Sequence, residues 1–181
     1  MKLLIASDIH GSSYYTKLLF DRIEEFKPDR ILLLGDLLYH GPRNALPQEY
    51  DTSVVLNLLN SVSNKILAVR GNCDSEVDQM VLNFPMMSDT SAIYAEGNLI
   101  FMSHGHRYNP QNLPPVGTGN VLLFGHTHVP TIDCVDGVLC LNPGSVSIPK
   151  GGSVNSYLTY DKGVFSWRDV TSGATYKTYT L

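Results

Sequence analysis

The stretch KLLIASDIH, residues 2–10, decides the fold expected for the first half of this chain. Its apolar run has the length of one buried strand, and a polar Asp-x-His step follows directly. Two similar runs occur later, RILLLG at 30–35 and KILAVR at 65–70, and helical patterns at 14–26 and about 52–62 separate the three. This βαβαβ order predicts a parallel sheet with right-handed crossovers.

Local signals support the predicted helices. Ser12 or Ser13 is expected to cap the first helix and Pro28 to close it, while Asp51 is expected to cap the second. A short third helix through Leu82 is predicted from the sequence Ser-Glu-Val-Asp at 75–78, which is typical of a capping box.

The second half of the chain has short apolar runs at 98–103, 121–124, 131–135, 138–142, 156–161 and 164–170. Turn dipeptides at Asp136-Gly137 and Lys162-Gly163 separate two pairs of these runs, which is typical of hairpins. We therefore expect short, mostly antiparallel strands here and a meander at the C-terminus.

Length and composition narrow the class of protein. The 181 residues suit a single domain spanning 1–181. The net charge is −4 and no dense basic run occurs, so we expect no binding to duplex nucleic acid. No apolar stretch reaches the roughly 18 residues of a membrane span, which predicts no membrane association. The 3 cysteines lack CxxC spacing, so a reducing, cytoplasmic setting is expected.

Residues able to bind metal follow five of the predicted strands. In chain order they are Asp8, His10, Asp36, Asn72, His104, His126 and His128. Because ligand sites of α/β sheets gather beyond the carboxyl ends of strands, we expect these side chains to converge. Carboxylate, amide and imidazole donors suit Mn²⁺, Fe, Zn²⁺, Ni²⁺ or Co²⁺. The set is too large for one ion, which favours two ions sharing a carboxylate, the arrangement used for displacement at phosphorus.

The motifs D-x-H, G-D, G-N-x-D, G-H and G-H-T-H, in this order between Lys2 and about Gly152, resemble the calcineurin-like binuclear metallophosphoesterases. Three loop segments, at 40–47, 70–80 and 142–152, are most similar to the small bacterial phosphodiesterases of the YfcE type.

This resemblance implies an α/β fold, a four-layer β-sandwich of two mixed sheets flanked by helices. It also implies that one ion is held by Asp8, His10 and His128, that a second is held by Asn72, His104 and His126, and that Asp36 bridges them. The implied reaction is hydrolysis of small phosphodiesters by a hydroxide bridging the two metal ions, so Asp36 and Asn72 count as catalytic as well as metal-binding. The cofactors implied are two divalent transition-metal ions, with Mn²⁺ foremost and Zn²⁺, Ni²⁺, Co²⁺ or Fe as alternatives.

Cys73 departs from the family pattern, because many members have a His at this position that contacts the substrate phosphate or assists the leaving group. A neutral thiol is a weaker hydrogen-bond donor than imidazolium and carries no positive charge. We therefore hypothesise a preference for diesters with good leaving groups and weak action on ordinary monoesters. A metal-ligating role, a nucleophilic role and an inert role for Cys73 remain as alternatives.

Two further residues are candidates for substrate binding. Arg43 could reach a phosphate oxygen or could anchor its Pro-rich loop, and His106 could contact substrate or lie in a surface loop. The alternative functions are a phosphomonoesterase and a non-catalytic protein-binding scaffold on the same fold, like the retromer subunit. A homodimer is possible if the apolar loops around 114–115 and 146–149 are exposed.

Overall fold

The computed structural model describes all residues from 1 to 181. The elements in chain order are β1 (Lys2–Ala6), α1 (Ser13–Phe26), β2 (Arg30–Leu33), α2 (Thr52–Ser61), a 3₁₀ turn (Ser63–Lys65), β3 (Ile66–Ala68), α3 (Glu76–Val81), β4 (Thr90–Ala95), β5 (Asn98–Ser103), β6 (Val121–Leu123), β7 (Thr131–Val135), β8 (Val138–Asn142), β9 (Ser156–Asp161), β10 (Val164–Asp169) and β11 (Thr175–Thr180).

The strands form two mixed sheets. The first has six strands in the order β11-β10-β9-β1-β2-β3. Within it β1 pairs parallel with β2, and β2 with β3, so the predicted βαβαβ unit is confirmed. The C-terminal strands β9, β10 and β11 continue this sheet as the predicted antiparallel meander, with β9 antiparallel to β1.

The second sheet has five strands in the order β4-β5-β6-β8-β7. Its edges are antiparallel pairs, but β6 pairs parallel with both β5 and β8. The expectation of mostly antiparallel strands is therefore wrong for the middle of this sheet. The parallel pairing arises because long connections, and not hairpins, enter and leave β6, which brings the carboxyl ends of β5, β6 and β8 to one edge.

The two sheets pack face to face around a buried core. Leu3, Tyr160 and Trp167 of the first sheet lie in one apolar cluster with Met102 and Leu123 of the second. The opposite face of the first sheet packs against α1 and α2, and the outer face of the second sheet is covered by a loop that includes Leu113 and Val116. The predicted sandwich of two mixed sheets is confirmed, with helices on one side and a loop as the outer layer on the other.

The predicted caps and turns are also confirmed. The hydroxyl of Ser12 accepts from Tyr15 N, and the Asp51 carboxylate accepts from Ser53 N and Val54 N. At the β7–β8 turn, Asp136 and Gly137 both have positive φ, 50° and 75°, as a two-residue hairpin turn of the right-handed sheet requires.

The apolar loops around 114–115 and 146–149 are exposed only in part. Val146 is fully buried and Pro114 is buried, whereas Pro115 is exposed and Ile148 and Pro149 are partly exposed. Val146 is held inside because its N–H donates to the carbonyl oxygen of Ser7 at the end of β1. None of the three helices has the length and apolar character needed to cross a bilayer.

Candidate metal centre

The seven predicted ligands lie on the loops that follow β1, β2, β3, β5 and β6, where the parallel ends of both sheets meet. A backbone bond of 2.6 Å from Gly125 N to His104 O and one of 3.1 Å from Asp8 N to Gly35 O join these loops to each other. Five of the seven have left-handed backbone conformations, with φ between 50° and 66°: Asp8, His10, Asp36, His126 and His128. Such conformations cost about 1–3 kcal/mol each in non-glycine residues and cluster at functional sites.

The first group of ligands is Asp8, His10 and His128, all fully or almost fully buried. Asp8 Oδ1 lies 3.3 Å from His128 Nε2 and 3.7 Å from His10 Nε2, and the two Nε2 atoms are 3.4 Å apart. Asp8 Oδ2 accepts from Ser7 Oγ and from His126 N, whereas Oδ1 is buried without any hydrogen-bond partner. A buried carboxylate oxygen in this state is poorly stabilised unless a cation binds it.

The histidine rings are oriented by backbone carbonyl groups. Nδ1 of His10 lies 2.8 Å from Tyr39 O, Nδ1 of His104 lies 2.7 Å from Leu34 O, and Nδ1 of His128 lies 2.6 Å from Ile148 O. A carbonyl oxygen only accepts, so each Nδ1 carries the proton and, in the neutral ring, each Nε2 presents a lone pair to the cluster. This is the tautomer and orientation that metal-ligating histidines adopt.

Asp36 lies between the two groups of ligands. Its Oδ2 is 3.7 Å from His10 Nε2 of the first group and 3.5 Å from His104 Nε2 of the second, while Oδ1 accepts from Cys73 N at 2.8 Å. Asn72 Oδ1 lies 3.0 Å from His104 Nε2, and the ring of His126 is centred 5.1 Å from that of His104. Asp36 thus lies close to a histidine of each group.

In the metal-free cluster, the negative carboxylates favour the protonated form of the neighbouring imidazoles, and the pKa values of both kinds of group are shifted. Burial opposes ionisation of Asp8, but the neighbouring imidazoles of His10 and His128 bring its pKa well below 3.8. Burial would also lower the pKa of His104, yet the carboxylates of Asp36 and Asp8 raise it from 6.5 to about 9. A divalent cation would replace these protons, because it offers the same carboxylates a larger positive charge.

The donor set therefore fits divalent transition-metal ions. Two overlapping groups, Asp8 with His10 and His128, and Asp8 with Asp36 and His104, each have their ligand atoms within 4.8 Å of one another. Oxygen and imidazole nitrogen donors of this kind suit Mn²⁺, Fe, Co²⁺, Ni²⁺ and Zn²⁺. The unpartnered Asp8 Oδ1 and the oriented Nε2 atoms are the observations that carry this fit.

Glycine is required where the two sheets touch the ligands. A Cβ atom at Gly125 would overlap Ser7 Oγ and would lie 2.8 Å from Asp8 Oδ2, and one at Gly71 would overlap Asp36. The G-D, G-N and G-H steps of the sequence thus allow the loops to approach the carboxylates closely.

A cleft of about 700 Å³ opens beside the cluster. Its lining is mostly polar and includes Asp36, Tyr39, Gly41, Pro42, Arg43, Asn44, Asn72, Cys73, His126, Thr127, His128 and Lys150. Cys73 and Arg43, two of the residues predicted to bind substrate, lie on this cleft. The third, His106, is exposed outside the cleft lining, with its ring centred 5.4 Å from that of His104.

Cys73 is half-buried, and its Sγ accepts from Asn72 Nδ2 at 3.2 Å. Burial and the carboxylates of Asp36, Asp74 and Asp8 raise the pKa of this thiol to about 12, so in the metal-free protein it is neutral. The Sγ atom also groups with ligand atoms of His10 and Asp36 within 4.8 Å, so the metal-ligating alternative stays geometrically open.

Sequence reasoning missed the role of Asp74. Its buried carboxylate accepts three backbone N–H groups, from Asp36 at 2.8 Å, Leu37 at 2.9 Å and Gly71 at 2.7 Å. The capping box of α3 is formed by Ser75 and Asp78, as predicted, and leaves Asp74 free to join the loops after β2 and β3. Its place in the G-N-x-D motif was the available signal.

The Asn-Pro-Gly-Ser segment after β8 supports the loops from behind. Asn142 Nδ2 donates to Gly125 O at 2.8 Å and to Thr127 Oγ1 at 3.0 Å, and Ser145 Oγ donates to Asp8 O at 2.8 Å. These bonds fix the backbone on which His126, His128 and Asp8 depend.

The sandwich of two mixed sheets and the buried cluster of Asp and His side chains are those of a phosphoester hydrolase. Comparison with known proteins identifies the family. Residues 1–162 match the calcineurin-like phosphoesterase superfamily domain, so the chain belongs to that superfamily.

Comparison with individual proteins shows which members of the superfamily this chain is similar to. Phosphodiesterase YfcE of Escherichia coli (strain K12) is 46% identical over 166 residues, which cover 92% of this chain and 90% of that protein. The solved structure of YfcE, described as a phosphoesterase, superposes with a TM-score of 0.96 at 43% identity over 99% of both chains. Vps29 from Entamoeba histolytica, at 18% identity and a TM-score of 0.67, shares the fold alone. The resemblance found in the sequence is therefore confirmed.

Proposed function

We propose that this protein is a metal-dependent phosphodiesterase that hydrolyses small phosphodiesters. The observation that carries the proposal is the buried cluster in which Asp8 Oδ1 has no hydrogen-bond partner and lies 3.7 Å from His10 Nε2 and 3.3 Å from His128 Nε2. The 46% identity to a phosphodiesterase along most of both chains supports the same reaction class.

The proposed ligand sets follow from the two groups of side chains. Asp8, His10 and His128 would hold one ion, Asn72, His104 and His126 the second, and Asp36 would bind both. When bound, two divalent cations supply hydroxide from water at neutral pH and neutralise charge that develops on the phosphate.

The chain's own residues orient the proposed ligand side chains and bury most of them. The carbonyl groups of Tyr39, Leu34 and Ile148 fix the imidazole rings, which keeps the ligand atoms in place before any ion arrives. Asp74 holds the Asp36 and Gly71 loops together through its three N–H bonds. Pre-organisation of this kind reduces the reorganisation needed during the reaction.

The preference for diesters over monoesters rests on Cys73. A neutral thiol in the cleft supplies neither a positive charge for a dianionic monoester nor a strong acid for a poor leaving group. Diesters carry one negative charge, and those with good leaving groups need little proton transfer to the departing oxygen. We therefore propose phosphodiesters as the substrates and keep phosphomonoesterase activity as the alternative function.

The scaffold alternative has no supporting feature in the site. Vps29 shows that the fold occurs in other settings, but here all seven predicted ligand positions carry a metal-binding side chain on the expected loops. We further propose Mn²⁺ as the native metal, a single domain over residues 1–181 and a cytoplasmic setting, which the free thiols of Cys73, Cys134 and Cys140 suit. A homodimer stays a prediction for sedimentation analysis.

A substrate panel tests the proposed activity. Mn²⁺-loaded protein is assayed against bis-p-nitrophenyl phosphate, nucleotide diesters, cyclic nucleotides and monoesters, in parallel with an Asn72→Ala variant purified identically. We expect diester turnover that falls by more than about 100-fold in the variant, since a metal ligand contributes to transition-state stabilisation worth several kcal/mol. Turnover that persists in Asn72→Ala would show a contaminant or a different site.

A further inference from the structure

The cleft carries two positive charges that the proposed metal centre does not use. Arg43 and Lys150 both line it, and both side chains are exposed to solvent. Neither forms an ion pair with any carboxylate of the chain. The only acidic residue on the cleft lining is Asp36, whose carboxylate belongs to the metal ligands. The two cations are therefore available to a bound molecule.

The loops that carry both cations are hydrogen-bonded to histidines of the first ligand group, and the Arg43 loop also approaches Cys73, since a Cβ at Gly41 would lie 3.0 Å from Cys73 Sγ. The loop before Arg43 accepts a hydrogen bond from His10 Nδ1 at Tyr39 O. The loop of Lys150 accepts one from His128 Nδ1 at Ile148 O, and Lys150 N donates back to His128 O at 3.1 Å.

The backbone of each loop is further fixed by local bonds. Asn44 Nδ2 donates to His40 O at 2.8 Å across the turn that contains Arg43. Lys150 O accepts from Ser153 N at 3.1 Å and Ser153 Oγ at 2.7 Å. Each Cα position is thus held while the charged end of the side chain is free to reach a ligand.

Other basic side chains near the centre lie outside the cleft lining and have partners. The Arg107 guanidinium is bound to Asp89 at 2.7 Å, and Arg70 Nε donates to Asp74 O at 3.3 Å. The unpaired positive charge of the cleft is therefore that of Arg43 and Lys150.

We propose that the cleft selects phosphodiesters that carry a second phosphate group, held by Arg43 and Lys150 beside the metal centre. A simple diester has one negative charge, which the metal centre alone can neutralise. A terminal phosphate adds a charge of about −1.5 to −2 and three acceptor oxygens, enough for an Arg fork and a Lys ammonium together. This selectivity rests on the proposed diesterase function and concerns which diesters are bound most tightly.

Binding of two product-like probes tests the proposal without turnover of a diester. Thymidine 5′-phosphate and thymidine 3′,5′-bisphosphate differ by one phosphate, and their dissociation constants are measured by calorimetry with Mn²⁺-loaded protein. We expect the bisphosphate to bind at least about tenfold more tightly than the monophosphate.

The matched variants are Arg43→Gln, Lys150→Gln and, as the control, Lys162→Gln at the β9–β10 turn. Each cleft variant should reduce the preference for the bisphosphate by about fivefold, the effect of one partly exposed charge pair. Lys162→Gln should change neither constant, which excludes an effect of net charge.

Two results would overturn the proposal: equal affinity for the two probes, or a preference that survives in the double variant Arg43→Gln/Lys150→Gln. Failure of the diesterase assay with the binding preference intact would count against the proposed function alone. If the enzyme is active, the KM for thymidine 5′-(p-nitrophenyl phosphate) bearing a 3′-phosphate should rise in Lys150→Gln with kcat unchanged.

Discussion

Replacement of Asp74 by Asn should destabilise the protein and weaken metal binding, although Asp74 contacts no ligand atom of the proposed ions. Oδ2 of Asp74 accepts from both Asp36 N and Gly71 N, and Oδ1 accepts from Leu37 N. The amide keeps one oxygen and turns the other position into a donor, which then opposes an N–H group. The side chain is only 3% exposed, so water reaches the unpaired groups poorly.

The magnitude follows from these three bonds. One lost partner leaves a buried donor unsatisfied at about 1–3 kcal/mol, and the two remaining bonds lose the strength that the negative charge gave them. The free energy of unfolding of the metal-free variant should fall by about 2–4 kcal/mol. Because the Asp36 backbone loses its anchor, Mn²⁺ affinity should fall by about 10–100-fold.

Urea denaturation of metal-free protein and calorimetric Mn²⁺ titration measure the two effects. The matched control is Asp78→Asn, which removes a cap of α3 and should cost about 1 kcal/mol without changing Mn²⁺ affinity. An Asp74→Asn variant that unfolds within about 1 kcal/mol of the wild type and binds Mn²⁺ equally well would refute the anchoring role of Asp74.

Three further predictions follow from the same site. The raised pKa of His104, about 9 against 6.5 when unfolded, stabilises the metal-free protein fully below pH 6.5, and this contribution is lost as pH rises to about 9. Thermal unfolding in chelator should therefore show a falling Tm across that window, and a flat profile would contradict the charge arrangement. Cys73→His should increase hydrolysis of unactivated diesters by about tenfold or more, because an imidazolium can protonate the leaving oxygen; rates unchanged on activated and unactivated diesters alike would sink the hypothesis. Gly125→Ala should lose about 1–3 kcal/mol of stability through overlap with Ser7, measured in urea. Gly117→Ala should stay within about 0.5 kcal/mol, because its Cβ would meet only Asn120 Nδ2, at an ordinary contact distance of 3.7 Å. Equal losses in the two variants would be evidence against the close approach.

The sequence predicted those strands whose residues are buried on both faces. The runs at β1 and β2 are continuous apolar stretches because both faces of these strands are buried, and they were assigned correctly. Strand β4, Thr90–Ala95, was missed because it lies at a sheet edge, where its side chains are only partly buried and polar residues mix with apolar ones.

For the site, the sequence predicted those residues whose own side chains are suited to bind metal. Each predicted metal ligand lies in the loop that follows a strand, and the fold brings these loops together. The histidine rings are oriented by the backbone carbonyl groups of Tyr39, Leu34 and Ile148. The side chains of these three residues take no part in the contact, so their residue types do not predict it. Contacts made by the backbone depend on how the loops fold and leave no pattern in residue type.

Lys150 and Asp74 illustrate the same limit for side chains. A single Lys in a Gly-rich loop looks like an ordinary surface residue until the loop is seen to hydrogen-bond His128. Asp74 precedes a capping box, which gives an acidic residue there an ordinary local explanation. Its three N–H partners lie as many as 38 positions away in sequence, so only the folded chain shows them.

Mn²⁺ stoichiometry tests the central claim of a two-ion centre most directly. Calorimetric titration of the metal-free wild type should give two ions per chain, while His128→Ala and Asn72→Ala, which alter different ligand groups, should each retain one tightly bound ion. One ion in the wild type, or two undiminished ions in both variants, would contradict the proposed centre.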